Sequence, residues 1–310
     1  MSLEVERYLA AATRSNTRRS YQAAIEHFEV SWGGFLPATS DTIARYLADH
    51  AGVLSANTLK TRLAALAQWH LSQGFPDPTK APIVRKVLKG IRVMHPRPEK
   101  QAHPMQLQEL ELCVRHLEHV ALEAHQAGDI PRRRRSLRDR ALILMGFWRA
   151  FRSDELCRLQ IEYIEVAPGK GMTIYLPWSK TDRQNLGQTF HAPALARLCP
   201  VQAYQDWLDE LGKESGPVFR GIDRWGHVQD SSIHPNSVIP ILRAALMNCG
   251  LPPERYSSHS LRRGFATWAA RNGWDQKTLM SYVGWRDPKS ALRYVEPLGM
   301  FSEQLTKMAP

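Results

Sequence analysis

The second half of the chain carries side chains that suit chemistry on a phosphodiester. They lie in four short segments, RAFRSDEL at 149–156, PWSKTDRQ at 177–184, SHSLRRGFAT at 258–267 and SYVGWRDPKSALRYVEP at 281–297. The candidates in chain order are Arg152, Lys180, His259, Arg262, Trp285 and Tyr294. Together they supply two fixed positive charges, a mobile proton donor, an imidazole, an indole donor and a phenol. This set predicts the attack of a tyrosine on a phosphodiester without a metal ion.

Arg152 and Arg262 suit the negative charge that builds on the non-bridging oxygens of a phosphodiester under attack. A guanidinium group stays charged and can bind two oxygens at once. Donors aimed at developing charge in a dry site often make the largest contribution to catalysis. Glu155 follows Arg152 by three residues, so we expect it to orient Arg152 or stabilise the site. Taken alone, RSDEL is more typical of a surface helix with a local ion pair.

The other candidates supply proton transfer and the nucleophile. Lys180 lies in a predicted hairpin turn, from which its ammonium could protonate a leaving oxygen. His259 and Arg262 are three residues apart at the start of a predicted helix, which places them on one face. Trp285 could donate to a phosphate oxygen, and Tyr294 needs cationic neighbours and a base to act as a nucleophile. Each residue taken singly has an ordinary structural interpretation, and the functional prediction depends on their order and spacing.

The elements that must position these side chains are mostly helical. In the first half, apolar spacing predicts helices near 17–28, 40–49 and 81–91, and a further helix capped by Asn57. In the second half, it predicts helices at 106–126, 139–149, 201–211, 236–249, 261–272, 276–283, 288–294 and 301–307. PRRRR at 131–135 is interpreted as a solvated charge run in a loop.

Three short apolar segments predict one small antiparallel sheet. Residues 161–166 and 172–177 are separated by a Pro-Gly-Lys-Gly turn, and a third strand is expected at 188–191. Three prolines and mixed charges in HPRPEKQAHP at 95–104 predict a linker. The sequence therefore predicts a mainly α fold with a small antiparallel β-sheet, divided into a helical domain at 1–94 and a second domain at 105–310.

The composition favours a soluble protein that binds a polyanion. The 310 residues carry a formal net charge of +11, and double-stranded DNA is the natural partner of such a chain. Basic proteins also exist that bind nothing in particular, so charge alone leaves both interpretations open. No apolar stretch is long enough to span a membrane, which predicts a cytoplasmic protein. The cysteines and histidines show no metal-ligand spacing.

The four segments closely resemble the catalytic motifs of the tyrosine recombinase (phage integrase) family. TRRSYQAAIEHFEVSW near the start resembles the core-binding domain of that family, and PVFRGIDRWGHV at 217–228 resembles Cre-like members. The resemblance covers essentially the whole chain and indicates a Cre-like or Xer-like site-specific recombinase. It implies an N-terminal helical core-binding domain at 1–94, a linker at 95–104, and a catalytic domain at 105–310 that ends in a tail helix.

The resemblance also implies a mechanism without cofactors. Tyr294 would attack the scissile phosphate, form a 3′-phosphotyrosyl bond and release a 5′-hydroxyl. Lys180 would act as general acid and His259 as the base toward Tyr294. The phosphate would be held by Arg152, Arg262, His259 and Trp285, with Glu155 in support. Neither ATP nor a metal ion would be required.

Partners follow from the same resemblance. The substrate would be double-stranded DNA with a specific recombination site, contacted in the major groove by candidates Arg18, Arg19, Lys60 and Arg62. Four protomers would assemble on two sites, with the tail FSEQLTKM at 301–308 docked on a neighbour or folded back on its own domain. An accessory protein and association with the nucleoid are also compatible with the family.

Two alternatives differ in outcome or in class. A type IB topoisomerase would use the same chemistry to nick and reseal one duplex without a second site. A catalytically inactive relative would serve as a sequence-specific DNA-binding protein, and the complete set of six residues argues against it. The residues do not name the DNA site, nor do they separate integration and excision from resolution of mobile-element, plasmid or chromosome dimers.

Overall fold

The computed structural model describes residues 4–5, 7–8, 13–97, 101–178, 186–285 and 287–288. They form two units, residues 1–100 and 101–310. Both units are mainly helical, and the strands that the structure describes are antiparallel and belong to the second unit. The predicted fold class is therefore confirmed. No helix in the described part of the chain is both long and apolar enough to cross a membrane.

The first unit is a small helical bundle. Its α-helices are Ser15–Glu26 (α1), Ser40–Asp49 (α2), Ala56–Ser72 (α3) and Pro82–Met94 (α4), and a π-helix at His27–Ser31 continues α1. The fully buried core includes Phe28, Ile43, Tyr46, Leu47, Leu59 and Leu66. The predicted cap of α3 is wrong by two residues. Ser55, not Asn57, is the N-cap, because its Oγ accepts a hydrogen bond from the Thr58 backbone N–H at 3.1 Å.

The second unit contains the candidate chemistry. Its α-helices are Leu107–Gln126 (α5), Ile130–Trp148 (α6), Ser153–Leu156 (α7), Pro200–Leu211 (α8), Val238–Asn248 (α9), His259–Arg271 (α10) and Gln276–Val283 (α11). Its strands are Ile164–Ala167 (β1), Gly171–Leu176 (β2), Gln188–Pro193 (β3), Arg220–Ile222 (β4) and Val228–Ser232 (β5).

The three-stranded sheet has the order β1-β2-β3, with antiparallel pairing throughout. Ile174 pairs with Ile164 on one side and Phe190 on the other, and the apolar side chains of β2 are buried in the core. A second sheet, formed by β4 and β5, was not expected from the sequence. It was missed because both strands are short and the segment VQDSS of β5 has no apolar alternation.

The interpretation of PRRRR as a solvated loop is wrong, since these residues form the first turns of α6. The side chain of Asp129 accepts a hydrogen bond from the Arg132 backbone N–H at 3.0 Å and so caps the helix. Pro131 lies in the first turn, where its missing N–H has no intrahelical partner to lose. The helix therefore begins nine residues before the predicted position.

The arginines of this segment also have partners far away in the sequence. Arg134 donates to Glu210 Oε1 at 3.0 Å and to the Gly226 carbonyl at 2.8 Å. One turn later, Arg138 donates to the Arg220 carbonyl at 3.1 Å. These bonds join α6 to α8 and to the β4–β5 hairpin, so the charge run is part of the tertiary structure.

Two glycines allow the close packing of α10. A Cβ atom built on Gly146 of α6 would lie 2.8 Å from Leu261 Cδ1. A Cβ atom built on Gly264 of α10 would lie 2.1 Å from the Met105 carbonyl oxygen and 2.9 Å from Phe147. Only a residue without a side chain fits at this distance, so both positions determine how near α10 approaches its neighbours.

We predict that Gly264→Ala lowers the free energy of unfolding of the second unit by about 3 kcal/mol, because the added methyl group displaces the backbone at Met105. Gly90→Ala is the matched control, since Gly90 also lies inside a helix but faces open space. It should leave stability unchanged or raise it by up to about 1 kcal/mol. Urea denaturation followed by circular dichroism measures both. Equal changes in unfolding free energy for the two variants, each relative to the unmodified protein, would contradict the packing argument.

Candidate active site

Arg152 is held by the carboxylate of Glu155. Arg152 is the N-cap residue of α7, a short helix that follows the end of α6. Glu155 Oε2 accepts the Arg152 backbone N–H at 2.8 Å, and Oε1 accepts its guanidinium at 2.6 Å. Glu155 is 4% exposed. One buried carboxylate therefore determines both the backbone and the side-chain position of Arg152.

Arg262 comes to the same carboxylate from α10. Its Nη1 lies 4.0 Å from Glu155 Oε2 and donates to the Ala150 carbonyl at 2.6 Å. Its Nη2 donates to the Val283 carbonyl at 3.3 Å. Arg262 is 2% exposed, and these bonds orient its guanidinium. The structure thus brings together two arginines that lie far apart in the sequence.

Ala150 adopts an unusual backbone conformation at this site. Its φ angle is +50°, in the left-handed region, and the residue is fully buried. For a residue other than glycine this conformation costs about 1–2 kcal/mol. The conformation directs the chain from α6 toward α7 and presents the Ala150 carbonyl to Arg262. The strained residue, Ala150, therefore supplies a carbonyl that orients Arg262.

Trp285 packs beside Arg262. Gly284 ends α11 in the left-handed conformation, with a φ angle of +73°, and turns the chain. The Trp285 backbone N–H then donates to the Met280 carbonyl at 2.9 Å. The indole ring is 5.1 Å from the Arg262 guanidinium carbon, and Trp285 is buried. Two of the predicted site residues are therefore in contact.

His259 is the first residue of α10, one turn before Arg262. Its backbone N–H donates to Ser257 Oγ at 3.2 Å, which fixes the start of the helix. The side chain is exposed. Lys180 and Tyr294 lie outside the described residues. The same holds for residues 289–294 of the predicted helix at 288–294, for the predicted helix at 301–307 and for the tail at 301–308.

Arg149 is a buried arginine that the sequence analysis did not select. It is 2% exposed and lies between α6 and Ala150. Its Nη1 donates to the His191 carbonyl at 3.0 Å, and its Nη2 donates to the Tyr282 carbonyl at 2.7 Å. Burial lowers the pKa of its guanidinium. The signal in the sequence was its place within the apolar stretch ALILMGFWRAF, where a charged residue needs an explanation.

The charges of the site do not balance. Arg152 and Arg262 lie within ion-pair distance of Glu155. The charge of that carboxylate also raises the pKa of the Arg149 guanidinium, against the larger lowering by burial. Among the described residues, two guanidinium groups thus lie at one carboxylate, which leaves an excess of positive charge. Such a site favours an anion with several oxygens, since arginine binds phosphate through paired donors. No group of three or more His, Cys, Asp or Glu side chains suited to a metal occurs in the part of the chain that the structure describes.

The first unit carries the residues predicted to contact DNA. Arg18 and Arg19 on α1 and Lys60 on α3 are exposed. Arg62 differs from them, because its Nη1 lies 2.6 Å from His27 Nδ1 and donates to the Tyr46 hydroxyl at 2.9 Å. Its guanidinium is thus engaged within the unit.

Helix α4 presents a basic face that the sequence analysis missed. Four exposed basic side chains lie along the helix: Arg85, Lys86, Lys89 and Arg92. The helix contains no acidic residue, and none of the four forms a salt bridge with a residue that the structure describes. Arg85, Lys89 and Arg92 recur at i, i+4 and i+7, so they share one side of the helix.

Comparison with known proteins gives consistent results. The phage integrase family matches residues 102–298. An integrase/recombinase xerD homolog of Selenomonas ruminantium is 30% identical, and the match covers 98% of this chain and 88% of the relative. The tyrosine recombinase XerD of Brucella suis biovar 1 (strain 1330) is 26% identical, with 99% of this chain and 92% of the relative covered.

Solved structures share the fold. The XerH site-specific recombinase bound to palindromic difH substrate superimposes with a TM-score of 0.60 at 16% identity, covering 93% of this chain and 78% of that chain. The Tn1549 transposon integrase in complex with transposon right end DNA has a TM-score of 0.61 at 14% identity, covering 96% of this chain and 95% of that chain. At these identities the likeness concerns the arrangement of the elements.

We predict that Glu155→Gln lowers the free energy of unfolding of the second unit by about 3 kcal/mol, because two guanidinium groups lose the charge that compensates them. The figure is at the low end for a buried pair because Arg152 keeps some contact with solvent, with 22% of its side chain exposed.

Asp154→Asn is the matched control for this prediction. Asp154 is the neighbouring acid of α7, and its pair with Arg158 is partly exposed on both sides. Its loss should change stability by less than about 1 kcal/mol. Urea denaturation of both variants gives the comparison, and equal effects would show that Glu155 does not hold the cluster together.

Proposed function

The chain belongs to the phage integrase family of tyrosine recombinases, and on that basis we propose that it is a site-specific DNA recombinase that acts through a 3′-phosphotyrosyl intermediate. The observation that carries the proposal is the cluster in which Arg152 and Arg262 share the buried carboxylate of Glu155 beside Trp285. Its positive excess matches the charge of a phosphodiester, which increases as a nucleophile adds.

The proposed reaction assigns one step to each group. The Tyr294 hydroxyl oxygen attacks the scissile phosphorus, and His259 accepts the phenolic proton. A phosphotyrosyl bond forms on the 3′ side while the bond from phosphorus to the 5′-oxygen breaks. Lys180 donates a proton to that leaving oxygen. Arg152, Arg262 and the Trp285 indole stabilise the non-bridging oxygens.

Religation reverses these steps with a different strand. The 5′-hydroxyl of a partner strand attacks the phosphotyrosyl phosphorus and releases Tyr294. One phosphodiester is exchanged for one phosphotyrosyl ester and back again, so the sequence of bonds balances without ATP. We infer that the outcome is integration, excision or resolution of mobile-element or plasmid DNA in the nucleoid. A tetramer joined through the tail at 301–308, with or without an accessory protein, would bring two sites together.

DNA binding is proposed for both units, with residues 1–94 as the core-binding domain, 95–104 as the linker and 105–310 as the catalytic domain. In the first unit, Arg18, Arg19 and Lys60 are exposed and basic, and the basic face of α4 adds Arg85, Lys89 and Arg92. Arg62 contributes to the packing of the unit through Tyr46 and His27. In support, the XerH recombinase was solved with its difH substrate, and the Tn1549 integrase with transposon right end DNA.

We predict a covalent protein–DNA adduct when the protein is incubated with nicked duplexes tiled across the DNA that flanks its gene. The adduct should form in EDTA, because the proposed groups need no metal. It should be absent with Tyr294→Phe, which lacks the nucleophile but keeps the ring. Denaturing gels detect it as a shifted band.

The role of Lys180 has its own control in the same assay. Lys180→Ala should slow adduct formation by a factor of about 10²–10⁴. A duplex with sulfur in place of the bridging 5′-oxygen should restore most of the rate, since a thiolate leaves without a proton. An adduct that persists in Tyr294→Phe would contradict the assignment of Tyr294 as the nucleophile. Specific binding without any adduct would favour the inactive DNA-binding alternative.

We predict that binding to the cleaved site weakens steeply with salt, through the release of counterions from DNA. Replacing Arg85, Lys89 and Arg92 by glutamine should reduce the slope of log K against log salt by about 2–3, at roughly 0.9 for each phosphate that is no longer neutralised. Lys213→Gln is the control, because Lys213 already lies 4.0 Å from Asp230 in the second unit. Fluorescence anisotropy at several salt concentrations measures the slope. An unchanged slope in the triple variant would exclude α4 from the interface.

A further inference from the structure

We propose that Arg149 is a positioning residue that places Trp285 and the acceptor of Arg262 for strand cleavage. The inference rests on the proposed function, since it concerns the phosphate-binding groups of that reaction. Arg149 does not itself need to touch DNA, because its guanidinium is buried and both of its terminal nitrogens donate to backbone carbonyls.

Three contacts join the end of α6 to the last turn of α11. Arg149 Nη2 donates to the Tyr282 carbonyl at 2.7 Å. The Arg149 guanidinium carbon lies 3.8 Å from the centre of the Tyr282 ring. The Tyr282 hydroxyl donates in turn to the Trp148 carbonyl at 2.9 Å. The backbone, ring and hydroxyl of Tyr282 are therefore all attached to two consecutive residues at the end of α6.

The last turn of α11 also supplies a hydrogen-bond acceptor for Arg262. The residue after Tyr282 is Val283, whose carbonyl accepts Arg262 Nη2 at 3.3 Å. Two residues further on, the Trp285 ring lies 5.1 Å from the Arg262 guanidinium carbon. A shift of this turn would move an acceptor of Arg262 and its aromatic neighbour together. Arg149 thus acts on the phosphate site through Val283 and Trp285.

A second arm of Arg149 reaches the three-stranded sheet. Its Nη1 donates at 3.0 Å to the His191 carbonyl of β3, one of the two outer strands of that sheet. Its guanidinium carbon also lies 5.1 Å from the centre of the Phe190 ring on the same strand. One side chain consequently fixes the sheet edge, the end of α6 and the end of α11 relative to one another.

The buried charge of Arg149 has a cost in folding free energy. No carboxylate among the described residues forms a salt bridge with Arg149, and its Nε has no hydrogen-bond partner there. A buried charge without a paired anion is costly. A side chain that costs stability and still bridges three elements of the site is explained by what it positions.

The test is the single-turnover rate of adduct formation by Arg149→Met on a saturating nicked duplex that contains the cleaved site. Methionine keeps most of the buried length and removes the donors. We expect a rate lower by a factor on the order of 10–100, as for displaced catalytic groups. The melting temperature of the variant is measured alongside, because the His191 and Tyr282 carbonyls lose their donors. The affinity for DNA should change by less than about twofold. A purely structural arginine would show an unchanged rate per folded molecule, whatever the change in melting temperature.

Arg220→Met supplies that contrast within the same unit. Arg220 is also buried and donates to the Pro217 and Ser215 carbonyls and to Asp230, and it lies on β4 rather than at the end of α6 or α11. Its replacement should lower the melting temperature and leave the rate per folded molecule unchanged.

A double-mutant cycle tests the route through Trp285. In a Trp285→Phe background, Arg149→Met should slow cleavage by a smaller factor than it does in the unmodified protein, because one of the two groups that it places has already been removed. The full slowing in that background would overturn the route through Trp285, and no slowing in the single variant would overturn the positioning role. Absence of an adduct with the unmodified protein would instead overturn the proposed function, and the positioning role with it.

Discussion

The arrangement of the second unit depends on one buried carboxylate among several guanidinium groups. Arginines brought close together repel one another, and the repulsion is strong where water is excluded. Glu155 offsets part of this cost by accepting from the Arg152 backbone and side chain and by lying 4.0 Å from Arg262. Because one carboxylate cannot neutralise all of the surrounding cations, the site keeps the positive charge that a phosphate would complement.

Around the carboxylate, close packing of the helices takes precedence over favourable backbone conformation. Gly146 and Gly264 let α10 pack near α6 and the Met105 backbone, which brings Arg262 to the end of α6. Ala150 then holds a left-handed conformation so that its carbonyl meets Arg262. The surrounding aromatic residues make these positions rigid, with Phe265 and Tyr282 stacked at 5.0 Å. Local strain is tolerated because the packing of the unit determines the conformation.

Sequence reasoning was most successful where local signals agree. The helix at 276–283 was predicted at its observed bounds, because Asp275 caps it, apolar residues recur along it and Gly284 ends it. The meeting of Arg152, Glu155, Arg262 and Trp285 followed from the order of family motifs. PRRRR and the β4–β5 hairpin were misjudged because their stability comes from each other and from Glu210, which is distant in the sequence. Arg149 was missed because its partners are backbone carbonyls, and carbonyls leave no pattern of side chains to recognise.

The same imbalance of charge connects stability with chemistry. A site whose described residues place two guanidinium groups at the one carboxylate of Glu155, beside a left-handed alanine, gives up free energy of folding in the absence of its substrate. In the proposed reaction, a bound phosphodiester would supply one negative charge and relieve part of the repulsion, so binding would also stabilise the fold. As the nucleophile adds, the phosphate oxygens would gain further charge, which would match the remaining excess of Arg152 and Arg262 more closely. The interaction would then be stronger in the transition state than in the ground state, which is the condition for accelerating the reaction rather than only binding the substrate.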